Sequence, residues 1–284
     1  MRPDSREDPR RDIQSIDREI HGLLMLRATL GDGPRGEGSV PPAPVRAAQA
    51  AKILRNILAR HSGHFPLRAL VQIWSDILFA CDRQTTLHVF SGAGATGFHD
   101  LARTYFGCVM PMTTHNSAAS VAHACADDPF AIGLVPPPES VENGQVWWEQ
   151  LAPAGHPGPR IAQSLPFVRN DSCRVPLPQG YAIAAVEQEA TGRDTSILRL
   201  ECHSEMSRAR LQTLLRQAGF EAQILAASRE SAKSPASRLL VANKGFVAVD
   251  DERLATLAGA AGGAIERVAL VGGFADPFDA AAAT

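Results

Sequence analysis

The hydrophobic period of this chain changes at Gln84, and that change divides what the two sides can fold into. Before it, Ile13, Ile16, Ile20, Leu23, Leu24, Leu26 and Leu30 recur at mostly three- or four-residue intervals, as do Leu67, Leu70, Ile73 and Ile77. Such spacing puts apolar residues on one stripe of an α-helix. Helices are therefore expected over 9–30, 45–61 and 67–83, the middle one rich in alanine and leucine. The first must stop near Leu30, because residues 31–44 hold four glycines and four prolines, which oppose helix continuation.

After Gln84, short β-rich runs alternate with helical ones. Strands are expected at 87–92, 130–136 and 160–168, with helices at 98–107, 117–126 and 146–152 between them. This order points to an α/β layer with parallel pairing. From residue 195 the elements follow as β-α-β-β-α-β, with strands at 195–202, 221–228, 237–249 and 264–274 and helices at 206–220 and 251–263. That is a ferredoxin-like order. A further strand is expected at 181–188. The resulting expectation is a multidomain chain: a helical unit over 1–85, an α/β region over 86–179 and an α+β domain over 180–284.

Formal net charge is −2, so no global basic field argues for nucleic acid or an anionic membrane. No run of 18 apolar residues occurs, which argues against a transmembrane helix. The charged start, MRPDSREDPRR, has no apolar core of a signal peptide. Five scattered cysteines without CxxC spacing argue against a disulfide framework and a zinc site. The expectation is a cytoplasmic protein without metal or cofactor.

The helical unit resembles the all-α chorismate mutase family. The resemblance rests on RRDIQSIDREIHGLLMLR, residues 10–27, where Ile13, Ile16, Asp17, Ile20, Leu23, Leu24 and Arg27 match the family pattern jointly. It implies isomerisation of chorismate to prephenate on the route to phenylalanine and tyrosine, in a homodimer. Arg10 would reach the substrate of the other protomer and Arg27 would bind substrate in its own. Chorismate is a dicarboxylate that rearranges without a nucleophile, so catalysis consists of holding the compact conformer and stabilising the ether oxygen. Guanidinium forks suit both carboxylates.

The chain departs from the family elsewhere. The family's catalytic lysine falls near Gly38, with only Arg35 close by. Its Arg-Glu pair on the second helix becomes Gln49-Ala50, or Ala50-Ala51 one residue on, with Arg46 a turn earlier as a compensating cation. On the third helix, the family's serine and glutamine fall on Cys81 and Thr85, with Gln84 one position early. The site residues the resemblance implies are thus Arg10, Arg27 and Arg46 for catalysis, and Gln49, Cys81 and Gln84 for substrate contact. The alternative is a catalytically inactive, ligand-sensing homologue.

FSGAGATGFHDLARTYFG and FAIGLVPPPESVENG resemble the first lobe of prephenate dehydratase, although its Thr-Arg-Phe signature is absent. Residues 195–274 resemble an ACT domain, which implies an aromatic amino-acid effector; its Gly-Ala-Leu motif is replaced by Glu205-Met206-Ser207. The whole arrangement, including Trp147-Trp148 and Thr191-Gly192-Arg193-Asp194, resembles an alphaproteobacterial class of monofunctional chorismate mutases with a long C-terminal extension. Gly92, Gly94 and Gly97 also fit GxGxxG before a helix, a phosphate-binding pattern, without the acidic residue expected about 20 positions on.

Overall fold

Helix α1 (Pro9–Gly31) forms where the apolar stripe requires it and extends for about 34 Å at ~1.5 Å per residue. Its stripe is open: Ile13, Ile16, Ile20 and Leu23 are 58%, 54%, 52% and 65% exposed. The structure, a computed structural model, describes residues 9–31, 47–80, 84–139, 146–169, 175–203, 205–228 and 236–281. It comprises two compact units, residues 1–41 and 42–284. Helix α1 belongs to the first. Among the described residues, no helix is long and apolar enough to cross a membrane.

The second unit opens with α2 (Ala47–Arg60) and α3 (Leu67–Phe79). There follow β1 (Thr86–Phe90), α4 (Phe98–Phe106), β2 (Met112–His115), α5 (Ala118–Asp127) and β3 (Ala131–Val135), then a 3-10 turn at Trp147–Gln150. Next come β4 (Arg160–Leu165), β5 (Val168–Arg169) and β6 (Gly180–Ala184), and then β7 (Asp194–His203), α6 (Arg208–Gln217) and β8 (Ala222–Ser228). The last elements are β9 (Ala236–Lys244), α7 (Glu252–Ala260), β10 (Ile265–Ala275) and β11 (Phe278–Asp279).

Nine strands form one mixed sheet in the order β2-β1-β3-β6-β4-β10-β7-β9-β8. Parallel pairing holds β1 to both β2 and β3, as the alternation of strands and helices implies. The expectation fails at β6, which runs antiparallel to β3 and β4. The strand expected over 181–188 also stops at Ala184, because residues 185–193 leave the sheet as a loop. Strands β10, β7, β9 and β8 pair antiparallel, and with α6 and α7 they make the ferredoxin-like arrangement. The two halves of the sheet join where β10 meets β4, in parallel register at Gly272 and Ile161.

Helices α2 and α3 share their core with this layer. Ala51, Leu54 and Leu58 of α2 and Val71 and Phe79 of α3 pack with Leu87, Leu101 and Phe106, and the Phe79 and Phe106 rings meet edge to face at 5.5 Å. Removing such side chains from water contributes about 1.5–3 kcal/mol each. Arg55 ties α2 to the far side of the unit. Its guanidinium donates to Thr191 Oγ1 at 2.8 Å and to the carbonyls of Arg193 and Asp276 at 2.7 and 2.6 Å. The buried Asp194 carboxylate shapes the turn it grips, accepting from Thr191 N–H, Thr191 Oγ1 and Gly192 N–H. That is the local role of Thr191-Gly192-Arg193-Asp194.

On the opposite face, α5 lies close to β3. A Cβ on Gly133 would stand 2.7 Å from both Cys125 Sγ and Val121 Cγ1, so glycine sets the helix-to-sheet distance there. Burial pushes the Cys125 thiol up to about 12, with Asp128 adding to the effect. That thiol is a packing group, not a nucleophile.

Candidate functional site

In the parallel trio β2-β1-β3, α4 carries the chain from β1 to β2 on one side and α5 carries it back past β1 to β3 on the other, so β1 stands beside a topological switch point. In open α/β sheets, ligands bind outside the carboxyl ends of strands at such a point. Here that end of β1 is followed directly by the glycine-rich turn Ser91–Gly97 and then by α4. A crevice of about 300 Å³ opens there, lined in part by Phe90, Ser91, Gly94, Thr96, His99 and Thr114.

Local sterics account for the glycines. A Cβ on Gly92 would sit 2.3 Å from the Asn116 carbonyl oxygen, while Gly94 and Gly97 take φ of 81° and 82°. Gly97 also caps α4, and it has no side chain to accept from the first-turn amides. The turn closes on itself through Ala95 N–H to the Gly92 carbonyl and Phe98 N–H to the Ala95 carbonyl. Hydroxyls of Thr96 and Thr114, the His99 ring and the positive end of the α4 dipole give the crevice a lining suited to a small anion such as a carboxylate.

Beside the turn stands a pair of imidazoles. His88 Nδ1 and His115 Nε2 are 2.8 Å apart, with ring centroids at 5.0 Å. Thr86 Oγ1 lies 3.5 Å from His88 Nε2 and donates to Asp128 Oδ2 at 3.3 Å. The His115 carbonyl accepts from Ser91 N–H at 2.7 Å and from Ser91 Oγ at 3.1 Å, joining the pair to the start of the turn. Burial first, and His115 second, hold the His88 imidazole below its ordinary value, with Asp128 opposing. No motif spacing joins these two histidines in the sequence. The missing signal was β2, a short strand of mixed polarity whose parallel pairing brings residues 88 and 115 together. Among the described residues, no group of three His, Cys, Asp or Glu side chains gathers to hold a metal.

The six residues taken from the chorismate mutase resemblance are distributed as follows. Arg10 and Arg27 both lie on α1, seventeen positions apart, which is about 25 Å along the axis at ~1.5 Å per residue. Two arginines so far apart on one helix cannot grip one small dicarboxylate together. Arg27 is exposed. Gln49 is exposed on α2, and Gln84 is exposed after α3. Arg46 and Cys81 lie outside the described residues. At the place of the family's Arg-Glu pair, Ala50 and Ala51 are 4% and 5% exposed, turned into the core.

Among known proteins, no family model matches the sequence, and no curated protein matches it. Solved structures similar to this chain include one described as GqqA, a novel type of quorum quenching acylase, at 13% identity and TM-score 0.44, covering 68% of this chain and 95% of that one. The prephenate dehydratase from Streptococcus mutans matches at 11% identity and TM-score 0.43, covering 68% and 99%. That from Staphylococcus aureus matches at 12% and 0.41, covering 66% and 99%. At that distance the likeness concerns the path of the chain and brings no activity with it.

Proposed function

We propose that this chain handles the carboxylates of the route to phenylalanine and tyrosine, and that its catalytic form is a chorismate mutase assembled from two copies. The observation that carries this reading is the open stripe of α1, with Ile13, Ile16, Ile20 and Leu23 each more than half exposed. A second α1 laid antiparallel on that stripe would bring Arg10 of one copy toward Arg27 of the other, which one helix alone cannot do. In this reading Arg46 serves as a further cation and Gln49, Cys81 and Gln84 as substrate contacts. No cofactor enters the chemistry, since the rearrangement needs a cationic clamp and no redox or nucleophilic group.

The test is chorismate disappearance followed with purified protein. Turnover should exceed the uncatalysed rate, and Arg27→Ala should lower it by roughly 10²–10³, the scale of one lost donor to developing charge. A far-ultraviolet spectrum of Arg27→Ala that matches the wild type would separate loss of catalysis from loss of fold. Wild-type turnover at the uncatalysed rate would overturn the reading.

A second reading is favoured by α2. Ala50 and Ala51 face the core where the family carries a charged pair, which suits a ligand-sensing protein that has lost catalysis. In that form the ferredoxin-like half would bind an aromatic amino acid. Calorimetric titration with phenylalanine and tyrosine decides it, and silence with both removes the sensing role.

A further inference from the structure

Strand β2 ends the sheet on one side and pairs with β1 alone, from Leu87 opposite Met112 to Phe90 opposite His115. Little of it is buried: Thr113 and Thr114 are exposed, and Met112 and His115 are half-buried. Its two ends are held differently. At the start, the Pro111 carbonyl accepts from Leu87 N–H at 2.9 Å, and Arg103 donates to the carbonyls of Cys108 and Met110 at 2.8 and 3.1 Å. At the far end the side-chain hold is the imidazole pair, and there the His115 carbonyl anchors Ser91.

That pair has room for one added proton and no more. A contact of 2.8 Å between two ring nitrogens needs a single hydrogen between them. The Thr86 hydroxyl gives its hydrogen to Asp128, so toward His88 Nε2 it can only accept. Nε2 is therefore the protonated nitrogen of His88, Nδ1 is its acceptor, and His115 Nε2 is the donor. A first added proton can sit on His115 Nδ1, which makes no hydrogen bond among the described residues, and the bond stays intact. A second can go only to His88 Nδ1, where it meets the His115 N–H head on. The bond is then lost and two positive rings face each other.

Little nearby offsets that charge. From the α5 side come the neutral thiol of Cys125 and, just past the helix, the carboxylate of Asp128. His123 and Asp127 of α5 are exposed and pair with each other at 3.8 Å. Strand β3 places Gly133 opposite His88 and brings no side chain. Burial and His115 outweigh Asp128, so His88 stays neutral to lower pH than an ordinary imidazole.

We propose that the imidazole pair is an acid-opened clasp on the edge strand: the second proton frees the far end of β2, and with it the Ser91 end of the glycine-rich turn, while the rest of the fold stays closed. Thr114 of β2 and Ser91 and Thr96 of the turn all line the crevice, so its shape follows the clasp. None of the residues assigned to chorismate takes part, and either reading can fail without the other.

Amide hydrogen exchange of the full chain tests the proposal, followed by mass spectrometry with exchange times scaled to the intrinsic rate at each pH. Peptides covering residues 112–116 and 91–97 should lose protection by about tenfold between pH 7.5 and 5.5, since below about 6.5 each pH unit favours the open form about tenfold. Peptides from β7 and β9 should not change. His88→Asn keeps an acceptor near the place of Nδ1 and cannot take a proton. His115→Gln keeps a donor near the place of Nε2 and can turn its amide to accept from a protonated His88. Each variant should hold β2 closed at pH 5.5. Wild-type protection at 112–116 that changes by less than about twofold overturns the proposal, as does an equal loss in β7 and β9, which would make the acid response global. The wild-type comparison needs neither variant, so it decides the matter even if one fails to fold. Acid opening that persists in both variants also overturns the clasp, by assigning the response to other groups.

Discussion

His88 shows how one side chain makes the fold sensitive to pH. Its imidazole is partly buried, with His115 Nε2 at 2.8 Å, and both conditions disfavour a positive charge. Burial is the larger cause, His115 the second, and Asp128 opposes them, so the folded value lies below the ordinary 6.5. Below about pH 6.5 the unfolded chain takes up a proton here that the folded chain refuses. The contribution to stability is therefore complete above that pH and is lost as pH falls through the folded value. Thermal melts between pH 7.5 and 5.5 should show a falling midpoint, and His88→Asn should flatten that fall. An unchanged slope in the variant would assign the acid sensitivity to other groups. The consequence reaches the candidate site, because the His115 carbonyl anchors Ser91 at the start of the glycine-rich turn.

At the scale of elements, the seam between β4 and β10 is the part of the sheet with least tolerance. Gly272 has φ of 129°, and a Cβ there would stand 2.2 Å from the Ile161 carbonyl oxygen and 2.5 Å from its nitrogen. Backbone strain and backbone overlap combine, so Gly272→Ala should cost about 2 kcal/mol or more. Denaturant unfolding measures it, and a loss under about 0.5 kcal/mol, the ordinary surface range, would show that the strands can part without penalty. Most elements were legible because their apolar period is unambiguous: α1, α4, β3 and the β7-to-β10 order appear close to where the sequence puts them. The seam was not legible. Nothing in RIAQSL or in LVGGFA says that these strands meet, since their pairing is set by the twist and register of two separate halves. Strand β2 escaped for a different reason, as MTTH is short and half of it faces solvent. Losing β2 hid the histidine pair, while the glycine-rich turn was visible because its residues are contiguous.

For the whole molecule the open question is what covers α1. Ile13, Ile16, Ile20, Leu23, Met25 and Leu26 are all more than half exposed, a larger apolar surface than a monomeric protein ordinarily leaves in water. At about 25 cal/mol per Å² of apolar area removed from water, covering such a stripe offers enough free energy to drive self-association. In the pairing proposed above, the occupant is a second α1, which would also resolve the separation of Arg10 and Arg27. Light scattering should then give twice the mass of one chain. Ile16→Asp would place a carboxylate in the middle of the paired stripes, with no partner for it, and should shift the population to single chains. Residues 42–284 have their own core, so their far-ultraviolet spectrum and cooperative melt should survive the change. If chorismate turnover also disappears in Ile16→Asp while Arg27 is still present, catalysis depends on the pairing and not on α1 alone. A wild-type mass of one chain would leave the stripe to another occupant and remove the route by which Arg10 could reach a site.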